Sequence, residues 1–159
     1  MSKHTSHPLT ASPWPRKVSL QAFTGLLDNR VLAEFVIDNG SSIVAMHRSV
    51  WEKLGTALST DSILRMQSSN SSVAATTGLL RNFPITIGHL TFYCQVQVSD
   101  DLPCKVLLGR PFYTYAKSVT IDYPDSSMDV QMTCPNTGQK ILVPTYEKAR
   151  ESRRVASDF

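Results

Sequence analysis

The chain has 159 residues, 42% of them apolar and 18% charged, with a formal net charge of +3. That length predicts one domain able to bury its own core, and the composition excludes a wholly disordered chain. No run approaches the roughly 18 uncharged apolar residues of a membrane-spanning helix, and the N-terminal residues lack the apolar centre of a secretory leader.

The charge is unevenly placed. Residues 1–17 carry three basic groups (Lys3, Arg16 and Lys17) and no acid, whereas residues 18–146 hold nine basic and ten acidic groups. The basic balance therefore belongs to the ends, without the basic stripe of a nucleic-acid-binding domain, and no nucleic-acid partner is expected. Cys94, Cys104 and Cys134 form an odd, scattered set with no Cys-x-x-Cys pair and no histidine at ligand spacing. Neither a disulfide framework nor a metal site is expected; the thiols fit a reducing, intracellular compartment, the cytoplasm by default.

In chain order, Pro8, Pro13 and Pro15 among Ser, Thr and His make residues 1–16 a flexible or extended arm. Alternating polarity predicts a strand over 17–23, and Val31–Ile37 is an apolar, β-branched second strand. Asp28-Asn29 between them is a turn signal, so the two form a hairpin. His47–Gly55 reads as a short helix, with Val50 and Leu54 on one face and Gly55 as its stop. The Ser-, Asn- and Thr-rich stretch 59–78 is a loop or hairpin. Asn82–Gly88 and Leu90–Val98 form a second hairpin around Gly88-His89. Lys105–Leu108 is a short buried strand, a helical turn follows at 111–116, and strands follow at 118–123, 128–132 and 140–143. Many short strands with regular turns indicate an all-β barrel or sandwich. Residues 147–159 form a charged tail.

The most informative segment is Phe35-Val-Ile-Asp-Asn-Gly-Ser-Ser-Ile-Val44, where an apolar strand runs into an acid, a tight turn and small hydroxyl residues. An acid set among hydrophobes is well hydrogen-bonded or chemically employed. Asn39-Gly40 is also a common type I′ hairpin dipeptide, in which case Asp38 merely caps a turn. A second signal lies about 70 residues on: Val106-Leu-Leu-Gly-Arg-Pro-Phe112.

Together these segments resemble the retropepsin-like aspartic proteases, the retroviral and retrotransposon type. The later run from Ile121 to Thr145 is similar to domains derived from fungal Gag-Pol polyproteins. The resemblance covers residues 17–146. It implies an all-β fold, a closed acid-protease-like β-barrel with one or two short helices. It implies an aspartic endopeptidase that needs no cofactor, cleaving a peptide or polyprotein substrate through an activated water. Two adjacent carboxylates share one proton in such a site. The chain offers one Asp-x-Gly turn, so the resemblance implies a homodimer with one catalytic Asp38 from each copy.

Other roles follow from the same likeness. Gly40 offers its N–H to the Asp38 carboxylate, and Asn39 stands where the family has Thr or Ser. Ser41 and Ser42 line the substrate cleft. Leu108, Gly109 and Arg110 support the turn from behind. Family members commonly pair this arginine with an acid just after the catalytic turn, where this chain has Ser42-Ile43. A flap is expected within about 64–80, with Gly78 as its glycine. The departures at Asn39 and beside Arg110 give an alternative: the same fold as a non-catalytic dimerisation or peptide-binding module.

Overall fold

Asp28 and Asn29 adopt φ of 52° and 55°, the left-handed pair of a type I′ turn, and Arg30 N–H closes it onto the Leu27 carbonyl at 3.0 Å. That turn joins β1 (Gln21–Leu27) to β2 (Val31–Ile37). In the computed structural model the described residues are 19–148, apart from 62, 64 and 68–72. Strand β1 begins at Gln21 rather than at residue 17, because the turn and the Gln21–Ile37 pairing set its register; Lys17 lies outside the described residues.

Strand β3 (Val44–His47) leads into α1 (Arg48–Leu54). The His47 ring accepts from Ser49 N–H as the helix cap, and Gly55, at φ 68°, ends the helix as its sequence predicts. A short hairpin follows, β4 (Arg65–Gln67) with β5 (Val73–Ala75), then the long hairpin of β6 (Gly78–Ile87) and β7 (Leu90–Ser99). The chain continues through β8 (Val106–Leu108), α2 (Arg110–Tyr115), β9 (Val119–Asp122), β10 (Met128–Thr133), β11 (Lys140–Pro144) and β12 (Tyr146–Glu147).

Six strands close a barrel in the order β1-β2-β8-β3-β7-β6, because the far end of β1 also pairs with β6 through Leu26–Thr86 and Leu27–Ile85. Closure requires backbones to approach at Gly25, where a Cβ would lie 2.6 Å from both the Phe35 ring and the Thr86 carbonyl. Alternate residues fill the interior: Phe35, Phe92, Met46, Ile85 and Leu108 are fully buried, and Phe23 meets Phe35 edge-on at 5.6 Å. The all-β barrel with two short helices is the architecture expected from sequence.

Strand β2 pairs with parallel β8 and is buried on both faces. Phe35 and Ile37 face the barrel, while Val36 joins Ala22, Ala45 and Leu107 in a second apolar cluster outside it. Strand β3 has no sequence alternation, since Val44, Ala45 and Met46 are all buried between β7 and β8. Sequence reading missed it for that reason. A separate sheet, β11-β10-β9, lays Val130 and Met132 of its middle strand onto the main core.

The C-terminal boundary moves outward. Glu147, assigned from sequence to the charged tail, pairs with Gln21 in β12, and Lys148 N–H donates to the Leu20 carbonyl at 2.8 Å. Lys148 Nζ also reaches Glu34 at 3.1 Å, and Tyr146 Oη donates to the same carboxylate at 2.8 Å. Residues 147 and 148 are therefore part of the fold, because they cover one edge of β1 and pair a half-buried acid.

Burial pushes the Glu34 pKa up, but the hydrogen bonds from Tyr146 and Lys148 and the nearby lysine charges outweigh it and hold the carboxyl below its ordinary range. A depressed folded-state pKa contributes stability above the ordinary range, lost as pH falls through the folded value. Glu34→Gln is thus expected to lower the melting temperature at neutral pH. The gap to wild type should close as pH falls below about 4, which thermal unfolding across pH checks.

Cys94 and Cys134 are buried and Cys104 is half-buried, all as free thiols. Burial pushes Cys94 up to about 12 and, chiefly by the same cause, Cys104 up to about 11. Neither is a thiolate at neutral pH. Among the described residues no His/Cys/Asp/Glu cluster could hold a metal ion, and no helix is long and apolar enough to cross a membrane.

Candidate active site

The β2–β8 ladder carries straight into Asp38, whose N–H donates to the Leu108 carbonyl at 3.1 Å. The chain then turns, with Ser41 N–H donating to the Asp38 carbonyl at 3.0 Å. A type I′ turn needs φ > 0 at both central residues, and neither Asn39 nor Gly40 has it. The turn does not fold the chain back along β2 either. It delivers it to β3, which pairs with β8 and β7. The hairpin reading of Asn39-Gly40 therefore fails, although the weaker candidate Asp28-Asn29 adopts that very geometry.

Within the turn, Gly40 N–H donates to Asp38 Oδ1 at 3.0 Å. One carboxylate oxygen is thereby fixed by a charge-assisted bond, while Oδ2 has no hydrogen-bond partner among the described residues. Asp38 is half-buried, and Asn39, Gly40 and Ser42 are exposed. The acid thus sits at the mouth of the barrel, with an oriented carboxylate and its second oxygen open.

The support behind the turn comes from β8 and α2. Leu108 is fully buried against the core. Gly109 follows so closely that a Cβ there would lie 2.0 Å from the Ile43 carbonyl oxygen and 2.8 Å from that of Ser41. Arg110 N–H donates to the Ser41 carbonyl at 2.8 Å, tying the first residue of α2 to the turn. Leu108 thus meets Asp38 itself, and Gly109 and the Arg110 backbone meet the segment after it. The Arg110 guanidinium is exposed and makes no ion pair among the described residues. Ser42-Ile43 stands where an acid would draw it in.

The Ser41 hydroxyl donates to the Ile43 carbonyl at 3.2 Å and accepts from Ile43 N–H at 3.4 Å, so it braces its own loop. Gly78 opens β6, and the short β4–β5 hairpin lies within the 64–80 stretch. One residue was not singled out from sequence: Tyr113, on α2 one helical turn beyond Gly109. Its hydroxyl is buried without a hydrogen-bond partner, and burial first, then the Asp38 charge, push its pKa up. An aromatic one turn after the glycine was the available signal.

Residues 24–112, from β1 through the first half of α2, match the family model described as aspartyl protease. Among solved structures, the retroviral protease-like domain of Ddi1 from Leishmania major aligns with a TM-score of 0.62 at 16% identity, covering 84% of this chain and 99% of that one. At that identity the likeness speaks for the fold, which is retropepsin-like. No curated protein sequence matches the chain. The matched stretch takes in both the Asp38 turn and the Gly109 segment cradling it, and the chain belongs to the aspartyl protease family.

Proposed function

We propose that the protein is an aspartic endopeptidase of retropepsin type, working as a homodimer in which each copy supplies Asp38. The observation that carries this reading is the Asp38 carboxylate, oriented by Gly40 N–H at 3.0 Å on a turn packed against Gly109. Asp38-Asn39-Gly40 is the chain's one Asp-x-Gly, so a second carboxylate has to come from a second copy.

Two such carboxylates in contact share one proton, since like charges that close cannot both ionise. The ionised Asp38 takes a proton from the attacking water, and the protonated one polarises the scissile carbonyl and then supplies the leaving amine. Gly40 N–H keeps each carboxylate in place through both steps. Ser42, exposed beside the turn, contacts the peptide or polyprotein substrate. The β4–β5 hairpin is the flap. The protease domain extends from residue 17 through β12, following the Pro-rich arm 1–16, and derives from a retroelement of the fungal Gag-Pol kind. Its compartment is intracellular, the cytoplasm, in keeping with three free thiols.

The test is cleavage of a peptide library at mildly acidic pH, with wild type compared against an Asp38 variant and with pepstatin as inhibitor. A shared-proton dyad predicts a bell-shaped acid optimum. The alternative, a non-catalytic module of the same fold, is favoured by Asn39 and by Arg110, which makes no ion pair among the described residues. Asn39→Thr separates the two. The protease reading expects wild-type turnover, with the Thr variant within about tenfold in kcat/KM, a difference of about 1.4 kcal/mol in the barrier. Turnover found only in the Thr variant assigns the native chain to the second reading.

A further inference from the structure

We propose that the groove between the outer face of β2 and the 102–105 loop is a second recognition site for the peptide, taking an acidic side chain on Lys105 about four residues from the scissile bond. The proposal adds a substrate feature to the Asp38 site and rests on the protease reading for the peptide's being a substrate.

The outer face of the barrel carries two rows of side chains below the Asp38 turn. Phe35 and Ile37 face the interior, so Glu34, Val36 and Asp38 lie on the opposite face of the same run. Val36 stands between Ala22 and Leu107, and Leu107 beside Ala45, which makes an apolar row one step from Asp38. One step further, Glu34 pairs with Thr24, and the same registers set Lys105 beside Glu34 and His47 beside Lys105. His47 N–H donates to the Lys105 carbonyl at 2.8 Å, which fixes that last neighbour. The chain's own Ile43, Leu102 and Cys104 cover the apolar row. The polar row is open and lines a groove of about 610 Å³.

The groove is matched to a carboxylate. Its acid, Glu34, is already engaged by Lys148 at 3.1 Å and by Tyr146 Oη at 2.8 Å. Lys105 is exposed and makes no ion pair among the described residues. His47 Nδ1 accepts from Ser49 N–H, so Nε2 is the proton-bearing nitrogen, and it has no acceptor among the described residues. Two donors thus line the groove without an acceptor, and Lys105 and Lys148 against Glu34 leave it net positive. Leu32, 71% exposed, and Pro103 offer apolar contact to the residues on either side of the acid. The groove is also continuous with the site. Burial first, then the charges of Glu34 and Asp38, push the Cys104 thiol up, so Cys104 lies within electrostatic reach of both acids. From Asp38 to Glu34 the strand spans about 13 Å, the length of four residues of an extended peptide. A two-fold pair of chains sets one such groove on each side of the scissile bond.

Binding is read apart from cleavage. The probes are rhodamine-labelled octapeptides of uncharged residues with a single Glu, Gln or Lys at the fifth position. They are titrated by anisotropy against the full chain carrying Asp38→Asn, which leaves them uncut. The Glu pool is expected to bind about tenfold tighter than the Gln pool. Lys105→Gln is expected to bring the two pools level and Lys105→Glu to favour the Lys pool, both with unchanged circular dichroism. Lys53→Glu, an exposed charge reversal on α1 outside the groove lining, is expected to keep the preference for Glu. Equal binding of the Glu and Gln pools overturns the proposal, as does the absence of binding by any pool. A Glu preference that survives Lys105→Glu, or that Lys53→Glu abolishes as well, overturns it too. In peptides that wild type cleaves, a Glu preference in kcat/KM is expected about four residues from the cut, and one confined to the residues flanking the cut overturns the placement. Selective binding that Lys105→Glu reverses, with no peptide cleaved by wild type, upholds the groove and removes the protease reading instead.

Discussion

Asp38→Asn is expected to reduce peptide hydrolysis by about 10³-fold or more, to the level of the uncatalysed background. The amide cannot accept the water's proton or share one with its counterpart. Its Oδ1 can still accept from Gly40 N–H, which holds the native carboxylate at 3.0 Å. Shape and turn geometry are thereby kept, and the melting temperature should stay close to wild type. The measurement is kcat/KM on a cleaved library peptide, with unfolding curves for both proteins. Equal turnover in the two would sink the assignment of Asp38, and loss of turnover together with loss of folding would leave Asp38 as a structural residue.

Gly109→Ala should act in the opposite order, on stability before chemistry. The glycine has φ −91° and ψ −170°, an extended conformation open to any residue. The cost is therefore space and not backbone strain. A methyl group would lie 2.0 Å from the Ile43 carbonyl oxygen and 2.8 Å from that of Ser41, both backbone atoms with no rotamer to yield. Parting β8 from the turn also stretches the Arg110 N–H bond to Ser41, now 2.8 Å. A loss of about 3 kcal/mol or more is expected, beyond ordinary overpacking. Urea denaturation should show a lower midpoint with an unchanged slope. A variant as stable as wild type would show that the cradle is loose.

The contrast between the two mutants follows from how the site is made. Its chemistry is one side chain, its geometry a set of backbone contacts between segments about 70 residues apart. Both segments were legible in sequence because each carries a compact chemical signal: an acid after an apolar strand, and a glycine after a buried one. The hairpins at Asp28-Asn29 and Gly88-His89 were legible for the same local reason, since turn residues act through their own dihedral angles.

Other features were not legible, each for a stated cause. Strand β3 is buried on both faces, so it has no alternation to read. Strand β12 belongs to the fold because β1 offers it an edge and Glu34 offers Lys148 a partner, facts residing in distant residues. The bond from the Ser41 hydroxyl to the Ile43 carbonyl depends on the path of the loop after Asp38, which composition does not show. Tyr113 carries no motif, and its unpartnered hydroxyl becomes visible once α2 is packed.

The sequence by itself determined the all-β class and the order of most strands, because periodicity and turn chemistry are local properties. The tertiary structure alone decided between two readings of Asn39-Gly40. That dipeptide can close a type I′ hairpin or carry an acid across to the next strand, and its own residues permit both. The choice is made by β8, which takes the place beside β2 that a returning hairpin strand would need and accepts the Asp38 N–H through Leu108.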